Sequence, residues 1–235
     1  MSGVEETIRL WKGLLVPEVK FDCLYSKYPI VHNWRCAHRV LVVRELVFWR
    51  VTDLLEQAHL LHLKEHGLGT RILLRSVIET IVVLVYINQK MNAVVSGKLD
   101  FHEFSNISSK LLLGSKNGMT DLSAVNIMTV LKHCERKYRG ISKIYNELCE
   151  SAHPNFEGIC QGYSEIVPEI SITKFGNYWH EACGSKHDNL FYVLIKLFEL
   201  ENSEFPNLFK ILERWIIDNN EKLQAKQTST IKVSR

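Results

Sequence analysis

The sequence predicts an all-α protein that forms a single-domain bundle of about seven or eight helices, on three observations. Apolar residues recur at helical spacing along most of the 235 residues. The most apolar run continues for about 20 residues without a turn signal, which is too long for a typical strand. The chain has no internal repeat or low-complexity linker, and its composition, 46% hydrophobic and 23% charged, is that of a globular protein.

Proline and glycine divide the first half of the chain into two helices. A short amphipathic helix is predicted over residues 4–15 and is ended by Pro17, and a loop-like stretch follows over residues 16–33. A long helix is predicted over residues 34–66, because an apolar stripe runs along it and Gly67 follows its end.

The next helix, predicted over residues 70–91, is apolar almost all round. A helix that is hydrophobic on every face is buried on every face. We therefore expect this helix to form the centre of the core, and we expect any charged side chain on it to need a partner.

Caps and breakers also divide the region that follows. A helix over residues 123–138 is predicted to begin at the cap residue Ser123. A further helix over residues 141–152 ends before Pro154, because the residue that precedes a proline disfavours helical backbone. The region after this proline is irregular and has room for a short hairpin at residues 170–173.

The last third of the chain is predicted to hold two separate helices. Asp188 caps a strongly apolar helix that runs to about residue 200, and Pro206 opens the last helix. The bundle is predicted to span residues 1–223, and residues 224–235 form a basic tail that we expect to be frayed.

Charge and cysteine content narrow the function classes only slightly. The net charge of +3 is too small to indicate a nucleic-acid partner without a local cluster. The six cysteines are scattered and contain no C-x-x-C pair, which indicates reduced thiols. The acidic first residues do not resemble a signal peptide. The uncharged stretch Thr80 to Ile87 is far shorter than the roughly 20 residues needed to cross a bilayer, since extending it backward meets Glu79 and Arg75. We therefore expect a cytoplasmic protein without a membrane partner.

Two charged residues on the apolar helix are the first candidate site. Arg75 and Glu79 lie four residues apart, hence on one side of the helix, and Arg71 lies one turn earlier. A buried charge needs a partner, so we expect both residues to be largely buried and at least one to contact the helix that ends at His153. They form either a purely structural salt bridge or part of a polar pocket, where perturbed charges gather.

The second candidate is His153, at the end of the segment Leu148 to Pro154. A helix C-terminus favours a protonated imidazole, which suits either a general acid or a contact with an anion. The alternative is a histidine that only caps the last carbonyls. Just upstream, basic residues outnumber acidic ones, so this cluster either binds RNA phosphates or is a solvated helix face. Its members are Lys132, Arg136, Lys137, Arg139 and Lys143.

These motifs together resemble a family of uncharacterised bacterial helical proteins related to the HEPN (higher eukaryote and prokaryote nucleotide-binding) superfamily. The resemblance rests on the Arg75/Glu79 pair, followed some seventy residues later by Ser151, His153 and Pro154. It implies a HEPN-like helical fold and, in many members, a metal-independent ribonuclease that works as a dimer in toxin–antitoxin or phage-defence systems. In the family an arginine is followed four to six residues later by a histidine, whereas no arginine here has a histidine at that spacing.

A metal site is the alternative interpretation of some of these residues. The pattern Glu-x-x-His of di-iron carboxylate bundles occurs twice, and Glu79 would supply a bridging carboxylate. The alternative ligands are Glu56, His59, Glu79, Glu150 and His153. Each of two further groups of residues is either a set of metal ligands or part of an ordinary polar face. They are His59, His62 and His66, and His180, Cys183 and His187.

The preferred hypothesis is a HEPN-like, metal-independent ribonuclease or toxin effector without a cofactor. Arg75 would neutralise a phosphate, Glu79 would orient Arg75, and His153 would act as acid or base on the ribose 2′-hydroxyl. The expected partners are RNA and either a second copy of the chain or a cognate protein. The alternatives are a non-catalytic interaction module, such as an antitoxin partner or scaffold, and a di-iron protein.

Overall fold

The computed structural model describes residues 3–19, 29–32 and 34–233. Within them the chain forms eight α-helices, which confirms the predicted all-α class. Their bounds are α1 Gly3–Leu14, α2 Pro29–His32, α3 Arg35–Leu63, α4 Gly67–Val95, α5 Phe101–Leu113, α6 Ile127–Glu135, α7 Ile141–Ala152 and α8 Trp179–Val233. Part of the loop predicted over residues 16–33, together with Cys23, lies outside the described residues.

Between α7 and α8 the chain forms a π-helical turn, Phe156–Gln161, and a two-stranded antiparallel hairpin. The strands are β1, Ser164–Val167, and β2, Ile172–Phe175, joined through a short 3₁₀ turn. The sequence predicted a short hairpin at residues 170–173, and the structure has a hairpin there that is longer and spans Ser164–Phe175. The register pairs Ser164 with Phe175 and Val167 with Ile172.

The junction between α3 and α4 differs from the prediction in the role of its glycine. Gly67 was predicted to terminate the helix over residues 34–66, but it is the first residue of α4. The left-handed residue that turns the chain is Glu65, with φ of 59°. Gly67 is needed for a different reason, because a Cβ there would lie 2.7 Å from the carbonyl carbon of Trp179.

Helix α5 was missed from the sequence, and α6 is shorter than predicted. Asp100 caps α5, since its side chain accepts hydrogen bonds from the backbone N–H groups of His102 and Glu103. Ser123 does not cap α6, which begins four residues later at Ile127. The backbone around Ser123 instead bridges to Ser115, so the predicted cap belongs to a loop.

The prediction of two helices in the last third of the chain was wrong. Helix α8 runs without a break over 55 residues, with Asp188 and Pro206 both inside it, and its backbone includes the predicted tail as far as Val233. A proline in a helix interior removes one hydrogen bond and costs about 3 kcal/mol. Here the neighbours Phe205 and Phe209 are buried and Pro206 itself is exposed, so burial of the flanking side chains offsets that cost.

The contacts divide the chain into two compact units, and α3, α4 and α8 each contribute residues to both. Unit 1 contains Met1–Leu15, Val47–Val83 and Ile127–Glu199, and unit 2 contains Val16–Leu46, Leu84–Asn126 and Leu200–Arg235. The organisation as a single domain stays a prediction.

Each unit has its own aromatic core. In unit 1, Trp11 packs against Phe48 and Phe198, with ring centroids 6.0 and 4.8 Å away. In unit 2, Trp34 packs edge-on against Phe101 at 5.1 Å, and the indole nitrogen of Trp34 donates to Asn220 Oδ1 at 3.0 Å. Large apolar side chains therefore anchor both units.

Within the described residues, no helix is both long enough and apolar enough to cross a membrane.

Candidate functional site

A row of polar side chains lies along the contact between α4 and α7, entirely within unit 1. We call it the polar seam. Its members are Arg71, Arg75 and Glu79 of α4, Tyr145 and Ser151 of α7, and Glu157 of the π turn. Arg71, Arg75 and Glu79 follow one another at helical spacing, which is why a single face of α4 presents all three to α7.

The first layer of the seam consists of Arg75, Tyr145 and Glu79, which are joined by hydrogen bonds and an ion pair. Arg75 Nη2 donates to the Tyr145 hydroxyl at 3.4 Å, and that hydroxyl donates to Glu79 Oε1 at 2.8 Å. Arg75 Nε also lies 3.3 Å from Glu79 Oε1, which makes an ion pair. The predicted contact between this pair and the helix that ends at His153 is therefore present, and Tyr145 makes it.

Tyr145 is buried, and its protonation follows from its surroundings. Burial, followed by its hydrogen bond to Glu79, raises the pKa of the Tyr145 phenol to about 12. The phenol therefore keeps its proton at neutral pH and acts as the donor to the carboxylate. This fixed donor holds Glu79 on the side of α4 that faces α7.

The second layer of the seam centres on Arg71, which binds three groups. Arg71 Nε donates to Ser151 Oγ at 2.5 Å, and Nη2 donates to the carbonyl oxygen of Glu147 at 2.8 Å and to Glu157 Oε1 at 3.3 Å. Ser151 in turn donates to Glu157 Oε1 at 2.7 Å. The serine thus links the guanidinium to the carboxylate and fixes both.

Burial in the seam differs from the prediction. Arg75 and Glu79 were expected to be largely buried, but their side chains are 29% and 31% exposed. The buried arginine is Arg71, at 9%. Helix α4 is open on one side, where Ile72 is 40% exposed, so the expectation of burial on every face was wrong. Arg75 and Glu79 therefore reach the solvent, where a ligand can meet them.

The chain after α7 folds back tightly against the end of this helix. Asn155 accepts a hydrogen bond from the N–H of Gly158 through its side chain and donates to Glu150, which closes the π turn. A Cβ at Gly158 would lie 1.9 Å from the carbonyl oxygen of His153, so only glycine fits there. Because of this turn, Glu157 returns to Ser151 and Arg71. The π turn is therefore what completes the second layer.

Trp179, the first residue of α8, packs against Arg71 of the second layer. The guanidinium carbon of Arg71 lies 5.9 Å from the centre of the Trp179 ring, within cation–π range. A Cβ at Gly162 would lie 2.2 Å from the indole, so the glycine makes room for the ring. Sequence reasoning missed both Trp179 and Glu157, since neither lies in a motif and both reach Arg71 from distant parts of the chain.

His153 is the C-terminal cap residue of α7 and is exposed. It follows Ser151 by two residues, so it lies next to the second layer along the chain and faces water. All five basic residues of the predicted RNA-binding cluster are exposed as well. They are Lys132 of α6, Arg136, Lys137 and Arg139 of the following turn, and Lys143 of α7.

Two of the side chains considered for the metal hypothesis have other partners. Glu56 accepts from Lys12 Nζ at 2.5 Å, and the buried His59 packs edge-on against Phe191 with ring centroids 5.7 Å apart. Burial, followed by the charge of His62, lowers the pKa of His59. In the described part of the chain, no group of three or more His, Cys, Asp or Glu side chains has the arrangement to hold a metal ion.

Three histidines in unit 1 form a group that the spacing of the sequence did not predict. The ring of His62 lies 5.7 Å from that of His180 and 5.5 Å from that of His187, and His62 Nε2 lies 3.1 Å from Asp188 Oδ1. The sequence placed His62 in one group with His59 and His66, and His180 and His187 in another with Cys183, whereas the structure brings His62 of α3 next to His180 and His187 of α8. Neither ring nitrogen of the buried His187 has a hydrogen-bond partner among the described residues.

His187 also lines a pocket of about 210 Å³ together with Arg71. Burial, followed by the charges of Arg71, His62 and His180, lowers the pKa of His187 to about 4. The imidazole is therefore neutral at physiological pH. The pocket lies beside the seam, and Arg71 is their shared residue.

Comparison of the chain with protein-family models, with curated proteins and with solved structures finds no match.

Proposed function

We propose that the chain is an RNA-directed, metal-independent ribonuclease of the HEPN-like kind, acting at the exposed side of the polar seam. The observation that carries the proposal is that Arg71 and Arg75, on successive turns of α4, both bind α7, whose end carries an exposed histidine. An arginine and a histidine are the residue types that RNA cleavage without a metal requires, one for charge and one for proton transfer.

Each residue has a distinct role in this mechanism. Arg75, which is partly exposed, binds the scissile phosphate, and Glu79 and Tyr145 hold its guanidinium in place. His153 removes the proton from the ribose 2′-hydroxyl, whose oxygen then attacks phosphorus. The P–O5′ bond breaks, the leaving oxygen takes up a proton from water, and the product is a 2′,3′-cyclic phosphate. Arg71 is a positioning residue, because it is buried and holds the end of α7.

The exposed basic cluster supports RNA as the substrate. Lys132, Arg136, Lys137, Arg139 and Lys143 lie on α6, on the turn after it and on α7, the helix that also carries His153. Each cationic side chain that contacts a phosphate releases condensed counterions, which favours binding of a polyanion without reading its sequence.

The test is cleavage of a labelled single-stranded RNA in the presence of a chelator. His153→Ala is expected to lower the rate by about 100-fold or more, since positioned proton transfer contributes 10²–10⁴-fold. His66→Ala is the matched control, because His66 is also exposed and lies outside the seam. Both variants are expected to keep the wild-type melting temperature, and the wild-type products are expected to carry 2′,3′-cyclic phosphate ends.

Equal activity of the His153→Ala and His66→Ala variants would contradict this mechanism. Loss of wild-type cleavage on addition of the chelator would contradict it in another way, because the reaction would then depend on a metal ion.

The second candidate function is a non-catalytic interaction module, and the hairpin favours it. Ile166, Ile170 and Phe175 are 72%, 60% and 84% exposed, and an apolar surface of this kind is typical of protein-binding sites. In the hairpin register Ile166 and Phe175 project from the same face. A wild-type chain that neither cuts nor binds RNA would support this function over the first.

A further inference from the structure

The pocket beside the seam has walls of two different kinds. One part is aliphatic, formed by Ile144 and Leu148 of α7 and by Leu190 and Val193 of α8. The other part is polar, formed by Arg71, Glu147, Lys186, His187 and Asn189. A pocket with an apolar body and a few convergent polar groups is the usual form of a small-molecule site.

The polar part contains the buried side chain of His187. His187 is 1% exposed, and both of its ring nitrogens lack a hydrogen-bond partner among the described residues. A buried polar group without a partner destabilises the fold, so a ligand that hydrogen-bonds this ring would recover that cost. Arg71, whose guanidinium is fixed by Ser151 and Glu157, supplies a positive charge next to the ring.

The charges around the pocket select a ligand with a single negative charge. Arg71 and Lys186 are cationic, whereas Glu147 lines the pocket and Glu157 is already paired with Arg71. Glu157 does not line the pocket, so the lining itself carries two cations and one carboxylate, a single net positive charge that one monocarboxylate would balance and that a dianion such as a phosphate monoester would exceed. Nη1 of Arg71, which makes none of the three contacts described above, is the guanidinium nitrogen left to donate to a ligand carboxylate.

The volume of the pocket limits the size of the ligand. At about 210 Å³ the pocket is smaller than the roughly 300–1,000 Å³ typical of sites for drug-sized ligands, so a ligand of about the size of a six-carbon carboxylic acid is expected. The aliphatic wall also favours a hydrocarbon chain over a polar ring, whose ring nitrogens and carbonyl oxygens would be buried there without partners.

We propose that this pocket binds a small aliphatic monocarboxylate, with the carboxylate at Arg71, Lys186 and His187 and the hydrocarbon chain between Leu148, Leu190 and Val193. This site is separate from the proposed ribonuclease reaction. The two sites share Arg71, but the binding proposal does not depend on the ribonuclease proposal, because carboxylate binding needs no RNA and His153 does not line the pocket.

The first test is calorimetric titration of the full chain at pH 7 with sodium hexanoate, with 1-hexanol and inorganic phosphate as comparison ligands. Hexanoate is expected to bind at least about tenfold more tightly than either, since hexanol lacks the charge and phosphate lacks the apolar chain. Equal affinity for hexanoate and hexanol, tighter binding of phosphate, or no binding of hexanoate would overturn the proposal.

Two variants locate the bound ligand. Val193→Trp is expected to weaken hexanoate binding at least about tenfold, because Val193 is 44% exposed and a larger side chain fits at the rim and fills the pocket without disturbing the core. Lys186→Gln is expected to weaken binding about threefold, a modest effect because the lysine is exposed to water. The control is Lys210→Gln, an exposed lysine of α8 outside the pocket, which is expected to bind like wild type. Unchanged binding by Val193→Trp would place the ligand elsewhere and overturn the proposal.

Discussion

Arg71 illustrates how long-range contacts select one side chain from several similar ones. The sequence placed Arg71 and Arg75 on the same face of α4, and it favoured Arg75 because Glu79 follows at the right spacing for a pair. In the structure Arg71 is the buried one, because Ser151, Glu157 and Trp179 reach it from α7, the π turn and α8. None of these partners lies within seventy residues of Arg71, so helical periodicity alone does not identify them.

Tyr145 shows a second limit of sequence reasoning at this scale. The predicted contact between the Arg75/Glu79 pair and α7 is present, yet a phenol makes it and the histidine segment does not. Partial exposure also changes the expected energetics. A fully desolvated pair loses about 3–5 kcal/mol when one partner is removed, whereas water reaches the guanidinium and carboxylate here and reduces that loss.

The buried imidazole of His187 gives a prediction for stability against pH. Burial, followed by nearby positive charge, lowers its pKa from 6.5 to about 4, so between these values the unfolded chain binds more protons than the folded chain. The stabilisation is fully present above pH 6.5 and is lost as the pH falls towards 4. The free energy of unfolding is expected to rise by roughly 2–3 kcal/mol across this window from His187 alone.

Denaturant titrations of wild type and His187→Gln at several pH values measure this contribution. The variant is expected to show a flatter dependence between pH 4 and 6.5, while the lowered pKa of His59 leaves a residual slope in both proteins. Parallel curves for the two proteins would show that His187 does not bind its proton differently on folding.

At the scale of elements, the long helices were predictable and the cap positions were not. Apolar periodicity identified α3, α4 and α7 closely, because burial of an apolar face is what stabilises these helices. Helix α5 was missed although Asp100 is a good cap, since the region around it contains many polar residues. Ser123 was chosen as a cap on residue type alone, and its backbone lies in a bridge with Ser115.

Helix α8 offers a direct test of whether Pro206 lies inside a helix or opens one. The structure places it in the interior, where Pro206→Ala restores a backbone hydrogen-bond donor, so the free energy of unfolding is expected to rise by about 1–3 kcal/mol. If Pro206 were instead the first residue of a separate helix, proline would be favourable there and alanine would be neutral or destabilising.

Chemical denaturation of Pro206→Ala distinguishes the two arrangements. Ser203→Ala is the control, because Ser203 is exposed in the same helix one turn earlier and is expected to change stability by no more than about 0.5 kcal/mol. A loss of stability in Pro206→Ala would contradict a continuous α8.

At the scale of the whole molecule, the net charge of +3 makes any RNA binding depend on local charge. If all five exposed basic residues of the cluster contact phosphates of a single strand, the logarithm of the affinity is expected to fall with the logarithm of salt concentration with a slope of about −3.5. The double variant Lys132→Gln, Arg139→Gln is expected to reduce that slope by about 1.4.

Fluorescence anisotropy of a labelled RNA at several salt concentrations measures both slopes. Lys210→Gln again serves as the control and is expected to leave the slope unchanged, because Lys210 lies outside the cluster. A slope near zero in wild type would show that the cluster is only a solvated helix face.

The division of α8 between two compact units has a consequence for the order in which the protein can fold during synthesis. Unit 1 contains no residue after Glu199, so all of its segments have been made once the ribosome has added that residue. Unit 2 needs residues from Leu200 onward, and at 5–20 residues per second these take about 2–7 s more to make. For that interval the early segments of unit 2, which include Trp34 and Phe101, lack the helix that covers them. The newly made chain therefore exposes these aromatic side chains to chaperones or to other unfolded chains until α8 is complete.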